Sequence, residues 1–124
     1  MKQPKILLVD DEEELRLLLV TSLNSRGYEV IEATNGQEGL EKARDEKPDI
    51  IVADIMMPRM DGFQMCRLLK FDEELKSIPV ILLSARTQSQ DVEIGKTVGA
   101  DSYIFKPVSI NDLVDKIKEY LPTV

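Results

Sequence analysis

Ile50-Ile51-Val52-Ala53-Asp54 is the stretch on which the fold turns. Four apolar residues in a row, with no polar alternation, read as a strand buried on both faces, as at the centre of a parallel sheet. Asp54 stands at the carboxyl end of that strand. Ile55, Met56, Met57 and Pro58 follow, then Arg59, Met60, Asp61 and Gly62, a turn-rich loop that leads into a helix. In open α/β sheets ligands bind in the crevice beyond the carboxyl ends of the strands, so a carboxylate delivered there is placed for chemistry. Alone, Asp54 reads first as an acid capping a strand. The other strand ends decide.

Upstream, Lys47-Pro48-Asp49 breaks the chain before the apolar run, and Asn35 and Glu38 have capping-box spacing for a helix ending near Glu46. Residues 29–33 read as a short strand. Before it, Glu12, Glu13 and Glu14 open a helix whose Leu15, Leu18, Leu19 and Leu23 are expected on one face, stopped at Arg26-Gly27. The first strand covers 5–9 and ends at Asp10 and Asp11. Downstream, Phe63, Cys66 and Leu69 recur at helical spacing up to Lys70, and a polar connector over 71–78 leads through Pro79 to a strand over 80–83. Ser84-Ala85 closes that strand. A helix over about 91–98 carries Gly95, which costs on the order of 1 kcal/mol against Ala and makes this the weakest helix expected. Gly99-Ala100-Asp101 turns into a strand over 102–105 that ends at Lys106-Pro107. Ser109 and Asp112 cap a final helix lined by Leu113, Ile117 and Leu121 before Pro122.

Five strands alternating with five helices mean βαβ units with right-handed crossovers: an α/β, doubly wound parallel sheet. The whole of 1–124 reads as one domain without repeats or linkers, long enough to bury roughly two-thirds of its unfolded surface. The 43% apolar and 31% charged content is that of a globular chain. A net charge of −7 argues against direct nucleic-acid binding or adhesion to an anionic membrane. Cys66 is the single cysteine and there is no histidine, which excludes an internal disulfide, His/Cys zinc sites and histidine-based triads, and fits a reducing cytosol. Cys66 itself reads as an inert core residue. The first apolar run is too short for a signal peptide or a membrane span.

The carboxyl ends of four strands therefore bring Asp10 and Asp11, Asp54, Ser84 and Lys106 to one edge of the sheet. Each has an ordinary reading: helix caps for the acid pair, a turn hydroxyl for Ser84, a solvated ammonium for Lys106. Together they say more. Three converging carboxylates repel one another unless a cation intervenes, and an all-oxygen set suits a hard divalent ion, Mg2+ first. An Asp nucleophile, a metal, a point-charge ammonium and a hydroxyl make a site for phosphoryl transfer to a carboxylate.

Asp10-Asp11, Asp54, Met57-Pro58, Met60-Asp61-Gly62, Ser84-Ala85, Gly99-Ala100-Asp101 and Lys106-Pro107, at their spacing, resemble the response-regulator receiver domain, the phosphoacceptor half of two-component signalling. The likeness runs from the first strand to the fifth helix. It implies a flavodoxin-like strand order 2-1-3-4-5, with Asp54 as phosphoacceptor for a histidine kinase or a histidine phosphotransfer protein. It implies that Asp11 contacts Mg2+ (or Mn2+ in its place) directly, with Asp10 nearby through water and the Met56 carbonyl adding a backbone oxygen. The Lys106-Pro107 bond is expected to be cis. By the same resemblance Ser84 senses the phosphoryl group and Tyr103 is the switch aromatic, although an aromatic on an edge strand more simply packs. The fourth helix, fifth strand and fifth helix would then present the responsive surface to a downstream protein or a fused output domain. The acid–Arg contacts by which winged-helix members pair are not matched at Ser102 and Lys116, so a monomer or a weak phosphorylation-dependent dimer is expected. Met56 and Arg86 stand where the family tunes dephosphorylation. Met56 cannot orient an attacking water and Arg86 can lie over the phosphoryl oxygens, which implies a long-lived acyl phosphate unless Arg86 instead stabilises the transition state of hydrolysis.

Three other functions compete. A pseudo-receiver that binds partners without phosphorylation would not need the intact set of Asp10, Asp11, Asp54, Ser84 and Lys106. A flavodoxin-type electron carrier needs a hydroxyl- and Gly-rich loop after the first strand, where this chain has acids from 10 to 14. A haloacid-dehalogenase-type phosphatase needs a second acid two residues after the nucleophile, and position 56 is Met.

Overall fold

A computed structural model describes residues 3–85 and 89–121, the latter with backbone alone at 89–92. Its elements in chain order are β1 (Lys5–Val9), α1 (Glu13–Asn24), β2 (Glu29–Ala33), α2 (Gly36–Glu46), β3 (Ile50–Asp54), α3 (Gly62–Phe71), β4 (Val80–Ser84), α4 (Ser89–Val98), β5 (Ser102–Phe105) and α5 (Ile110–Tyr120). The sheet is parallel throughout, in the order β2-β1-β3-β4-β5. That is the doubly wound arrangement the sequence implied. Among the described residues no helix is long and apolar enough to cross a membrane.

Every residue of β3 and of β4 is buried, because helices cover both faces of the sheet there. This is why their sequences run apolar without alternation. Successive side chains still point to opposite faces and feed two cores. Leu7, Val9, Ile51, Ala53 and Leu82 meet Leu40 and Ala43 of α2 and Met65, Cys66 and Leu69 of α3. Ile6, Leu8, Ile50, Val52 and Ile81 meet Leu19 and Leu23 of α1 and Leu113 and Ile117 of α5. Each fully buried Leu or Ile contributes roughly 1.5–3 kcal/mol, so β1 and β3, facing both cores, hold the sheet together.

Leu18 corrects the reading of α1. It is 61% exposed, while Leu19 and Leu23 are buried and Leu15 packs at the edge of the core. At about 100° per residue Leu15, Leu19 and Leu23 form one row, and Leu18 falls a full residue step away from it. The helix stops where expected, with Gly27 at φ 94°. In α2, Asn35 Oδ1 accepts the Glu38 N–H at 2.9 Å, but Glu38 reaches back to the Thr34 N–H rather than to that of Asn35. The reciprocal capping box belongs to α3, between Asp61 and Gln64, where the sequence suggested only a turn. Ser109 caps α5 by accepting the Asp112 N–H at 3.3 Å.

Candidate functional site

Register builds the site. β1 and β3 pair with Val9 opposite Ala53, which sets Asp10 and Asp54 side by side just beyond the ladder. β3 pairs with β4 at Asp54 and Leu83, and β4 with β5 at Ser84 and Phe105, so Ser84 and Lys106 arrive at the same edge. Backbone bonds fix these ends: Asp10 N–H donates to Ala33 O at 3.0 Å, Ile55 N–H to Leu83 O at 3.2 Å, and Lys106 N–H to Ser84 O at 2.7 Å.

Asp10 is completely buried and Asp54 is 4% exposed, whereas Asp11 lies at the surface. One carboxylate oxygen from each of the three lies within 4.8 Å of the others. Lys106 Nζ stands 2.9 Å from Asp54 Oδ2, and Asp54 Oδ1 is 3.4 Å from the Met56 N–H. Asp10 Oδ1 accepts the Glu12 N–H at 2.8 Å, while its Oδ2 is buried with no hydrogen-bond partner among the described residues. Burial pushes the Asp10 carboxyl up to about 6; the Glu12 N–H opposes this, and the charges of Asp54 and Asp11 reinforce it against Lys106. Burial works to lower the Lys106 ammonium, but the hydrogen bond and charge of Asp54, with Asp10 and Glu12 behind, hold it above its ordinary value.

One ammonium against three carboxylates leaves the edge strongly anionic, and the orphaned Asp10 oxygen lacks the partner that burial demands. A hard divalent cation fits both the donor set and the orphan. Asp10, Asp11 and Asp54 are the side chains that could hold it.

The other residues singled out from sequence are placed as follows. Ser84 is buried at the end of β4. The Lys106-Pro107 bond is cis, as expected. Tyr103 is half-buried, packed against the α2–α3 core, and a Cβ at Gly95 would overlap its ring. Gly95 therefore has a packing reason beyond its cost to α4. Burial, then Cys66 and Asp101, push the Tyr103 phenol above its ordinary range. Met56 is 64% exposed beside Asp54. Arg86 lies outside the described residues. Burial pushes the Cys66 thiol up to about 11, in keeping with an inert core residue.

Arg16 was not legible as a site residue. Its Nη1 donates to the Asp10 carbonyl at 2.9 Å and its Nε to Glu32 Oε1 at 3.1 Å, so it ties the acid turn to the end of β2. The signal available was an arginine one residue after Leu15, close to the buried stripe of a leucine-rich helix.

The family profile of the response regulator receiver domain matches residues 6–118. The chain is 41% identical over 117 residues to the alkaline phosphatase synthesis transcriptional regulatory protein PhoP of Bacillus subtilis, which covers 94% of this chain and 48% of PhoP. It thus spans about half the length of that relative. Protein PilG of Pseudomonas aeruginosa is 41% identical over 119 residues, covering 96% of this chain and 88% of PilG. Among solved structures, the receiver domain of the sensor histidine kinase PA1611 from Pseudomonas aeruginosa PAO1 superposes with a TM-score of 0.90 at 25% identity, over 98% of this chain and all of that one. That structure has a magnesium ion coordinated in its active-site cleft. Receiver domains are signalling modules of two-component systems rather than metabolic enzymes. With that profile matched over residues 6–118, the chain belongs to the response regulator receiver domain family.

Proposed function

We propose that residues 1–124 act as a phosphoacceptor switch in which Asp54 takes a phosphoryl group from a phosphohistidine of a kinase or phosphotransfer protein. The observation that carries this reading is the Lys106–Asp54 pair at 2.9 Å, set beside Asp10 and Asp11 at the carboxyl edge of the sheet. An Asp54 carboxylate oxygen attacks phosphorus, a P–O bond forms, the P–N bond breaks, and the histidine nitrogen leaves with the electron pair. Lys106 is already charged and already at the acceptor, so it can pass from the carboxylate to a phosphoryl oxygen without reorganising the edge. The buried Ser84 hydroxyl serves as donor to the same group. Asp10, Asp11, Asp54 and the Met56 carbonyl would hold a divalent cation, Mg2+ or Mn2+, which would neutralise the charge that otherwise repels the incoming phosphoryl group. Met56 and Phe105, exposed by 64% and 39%, offer a donor protein apolar contact at the rim. Tyr103, seated between Gly95 and the core, couples the site to the surface of α4, β5 and α5, where a downstream protein or output domain reads the state. Met56 carries no group able to orient water toward the acyl phosphate, which supports slow self-hydrolysis.

Intact mass after treatment with acetyl phosphate tests the assignment. Wild type is expected to gain one phosphoryl group with Mg2+ present and none in chelator, and Asp54→Asn is expected to gain none. A mass gain in the Asn variant, or one indifferent to chelator, overturns it.

A further inference from the structure

The outward face of α3 has a character at odds with the rest of this acidic chain. Gln64, Arg67, Leu68 and Phe71 fall at i, i+3, i+4 and i+7, a second stripe opposite the buried Met65, Cys66 and Leu69. Leu68 is 43% exposed and Phe71 76%, the largest apolar exposure among the described residues. The Arg67 guanidinium stands 5.8 Å from the centre of the Phe71 ring. Two depressions flank the stripe and share Arg67. One, of about 290 Å³, is lined by Arg59, Met60, Gln64, Arg67 and Leu68. The other, of about 340 Å³, lies between Arg67, Lys70 and Phe71 and the end of α4 at Thr97, Val98 and Gly99.

Among the described residues the two arginines there lack a carboxylate partner. Arg16 and Arg44 each have a carboxylate within 4.0 Å, at 3.1 and 3.9 Å, and Lys70 is held by Asp101 at 2.9 Å. Among the described residues Arg59 and Arg67 have none. Arg59 is also held in place. It has φ 68° at the centre of a tight turn closed by the Met60 N–H on Pro58 O at 2.8 Å, and the Met60 carbonyl accepts the Gly36 N–H at 3.0 Å. A Cβ at Gly36 would overlap that carbonyl, so the turn sits directly on the start of α2. A non-glycine residue with positive φ is strained and persists where its surroundings fix it.

We propose that this face docks an acidic amphipathic helix of a partner protein. Its apolar stripe would lie on Leu68 and Phe71, and its carboxylates would pair with Arg59 and Arg67 across the smaller depression. Arginine, methionine and aromatic side chains around apolar pockets are the composition of protein interfaces, and the partner's acids would supply the charge this chain leaves unmatched. Neither depression is lined by Asp10, Asp11, Asp54 or Lys106, although Arg59 also borders a further cleft that Asp11 lines.

The test is a titration of isotope-labelled protein with a synthetic helical Glu/Leu peptide, followed by amide chemical shifts, with a Lys/Leu peptide of the same pattern as control. Shifts are expected over 59–71 and 97–99 with the acidic peptide only, weakening as salt rises. Arg67→Glu is expected to weaken the acidic peptide at least about tenfold, as loss of one charge-assisted pair at an apolar site implies, and to gain binding of the Lys/Leu peptide. Phosphorylation by acetyl phosphate is expected to be unchanged in Arg67→Glu, which also shows that the variant is folded. No shifts, shifts on another face, or equal response to both peptides overturns the proposal. The same shifts on concentrating the protein without peptide assign the face to a second copy and overturn it too.

Discussion

Asp49 and Asp101 stand just before strands at the amino edge of the sheet, and Asp10 and Asp54 stand at the ends of strands on the opposite edge. At the amino edge both acids are met. Asp49 Oδ2 accepts the Lys5 N–H at 2.7 Å, the first amide of β1. Asp101 Oδ2 accepts the first amide of β4, Val80, at 2.8 Å, and takes Lys70 Nζ at 2.9 Å as well. Each acid thus binds a strand it does not precede, and water still reaches it. At the carboxyl edge the two acids are buried, share one ammonium, and leave an oxygen without a partner. The same residue type caps a sheet on one side and stores unmatched charge on the other. Unmatched buried charge costs stability, so its presence marks where chemistry, not folding, set the residue.

Asp10→Asn gives the largest way to break that contrast. In the folded chain the Asp10 carboxyl sits at about 6 against 3.8 without burial, so the folded state binds its proton more tightly than the unfolded state does. The contribution of Asp10 to stability in chelator is then most favourable below pH 3.8, falls as pH rises to about 6, and stays low above it. By linkage the loss at neutral pH is on the order of 2–3 kcal/mol. Asn keeps an acceptor for the Glu12 N–H and carries no charge. Thermal melts in chelator are expected to show the variant more stable than wild type at pH 7, with the gap closing toward pH 4 and shrinking when Mg2+ is added to wild type. A variant no more stable at pH 7 would mean that Asp10 is as well matched as Asp101.

Asp101→Ala is the mirror experiment, with the sign reversed. It strands the Val80 N–H and leaves the Lys70 ammonium only the Lys76 and Ile78 carbonyls, and roughly 1–3 kcal/mol of stability should go with the lost contacts. Denaturant melts are expected to show that loss, while acetyl phosphate labels Asp54 in the folded variant as in wild type.

Arg16 stands between the two behaviours, a fully paired residue that serves the unmatched edge. Arg16→Gln is expected to cost about 1 kcal/mol in denaturant melts. Supporting contacts to metal ligands are commonly worth about 10–100-fold in affinity. Arg16 holds the Asp10 carbonyl rather than a carboxylate, so a Mg2+ titration should show a loss toward the lower end. Unchanged affinity would make Arg16 a link of β2 to α1 and nothing more.

Much of this was legible because the punctuation is local. Lys47-Pro48, Pro79 and Gly99 precede β3, β4 and β5, and a parallel order places their carboxyl ends together whatever the side chains do. Hence Asp54 and Lys106 could be paired across 52 positions from sequence. Which of Asp10 and Asp11 is buried could not, since a one-residue difference at a strand end depends on the turn that follows. Leu18 was misplaced because α1 has leucine on several sides, and only packing against β1 and α5 selects the row that goes inward. Arg16 and Glu32 were missed because they belong to elements sixteen residues apart whose contact depends on how α1 lies over β2.

β5 runs from Asp101 at one edge to Lys106 at the other, and Tyr103 lies between them. Gly95→Ala asks whether the edges are independent. Ala favours the helix over Gly by about 1 kcal/mol, but its Cβ would occupy the place of the Tyr103 ring and force that ring outward. Losing part of the packing of one aromatic is worth a similar amount, so the net change in stability should be small. The phenol reports the movement instead. Burial is the main cause that raises it, so displacement should bring its titration back toward that of a solvated phenol, resolved by difference from Tyr103→Phe. Asp10 is held by the Glu12 N–H, and Asp54 by the Met56 N–H and the Lys106 ammonium. Mg2+ affinity in Gly95→Ala should therefore stay within about twofold of wild type, the margin within which independent sites add. A larger change, accompanied by the fall in the phenol, would show that β5 transmits strain between the edges even without a phosphoryl group, and the contrast between a structural and a chemical edge would have to be given up.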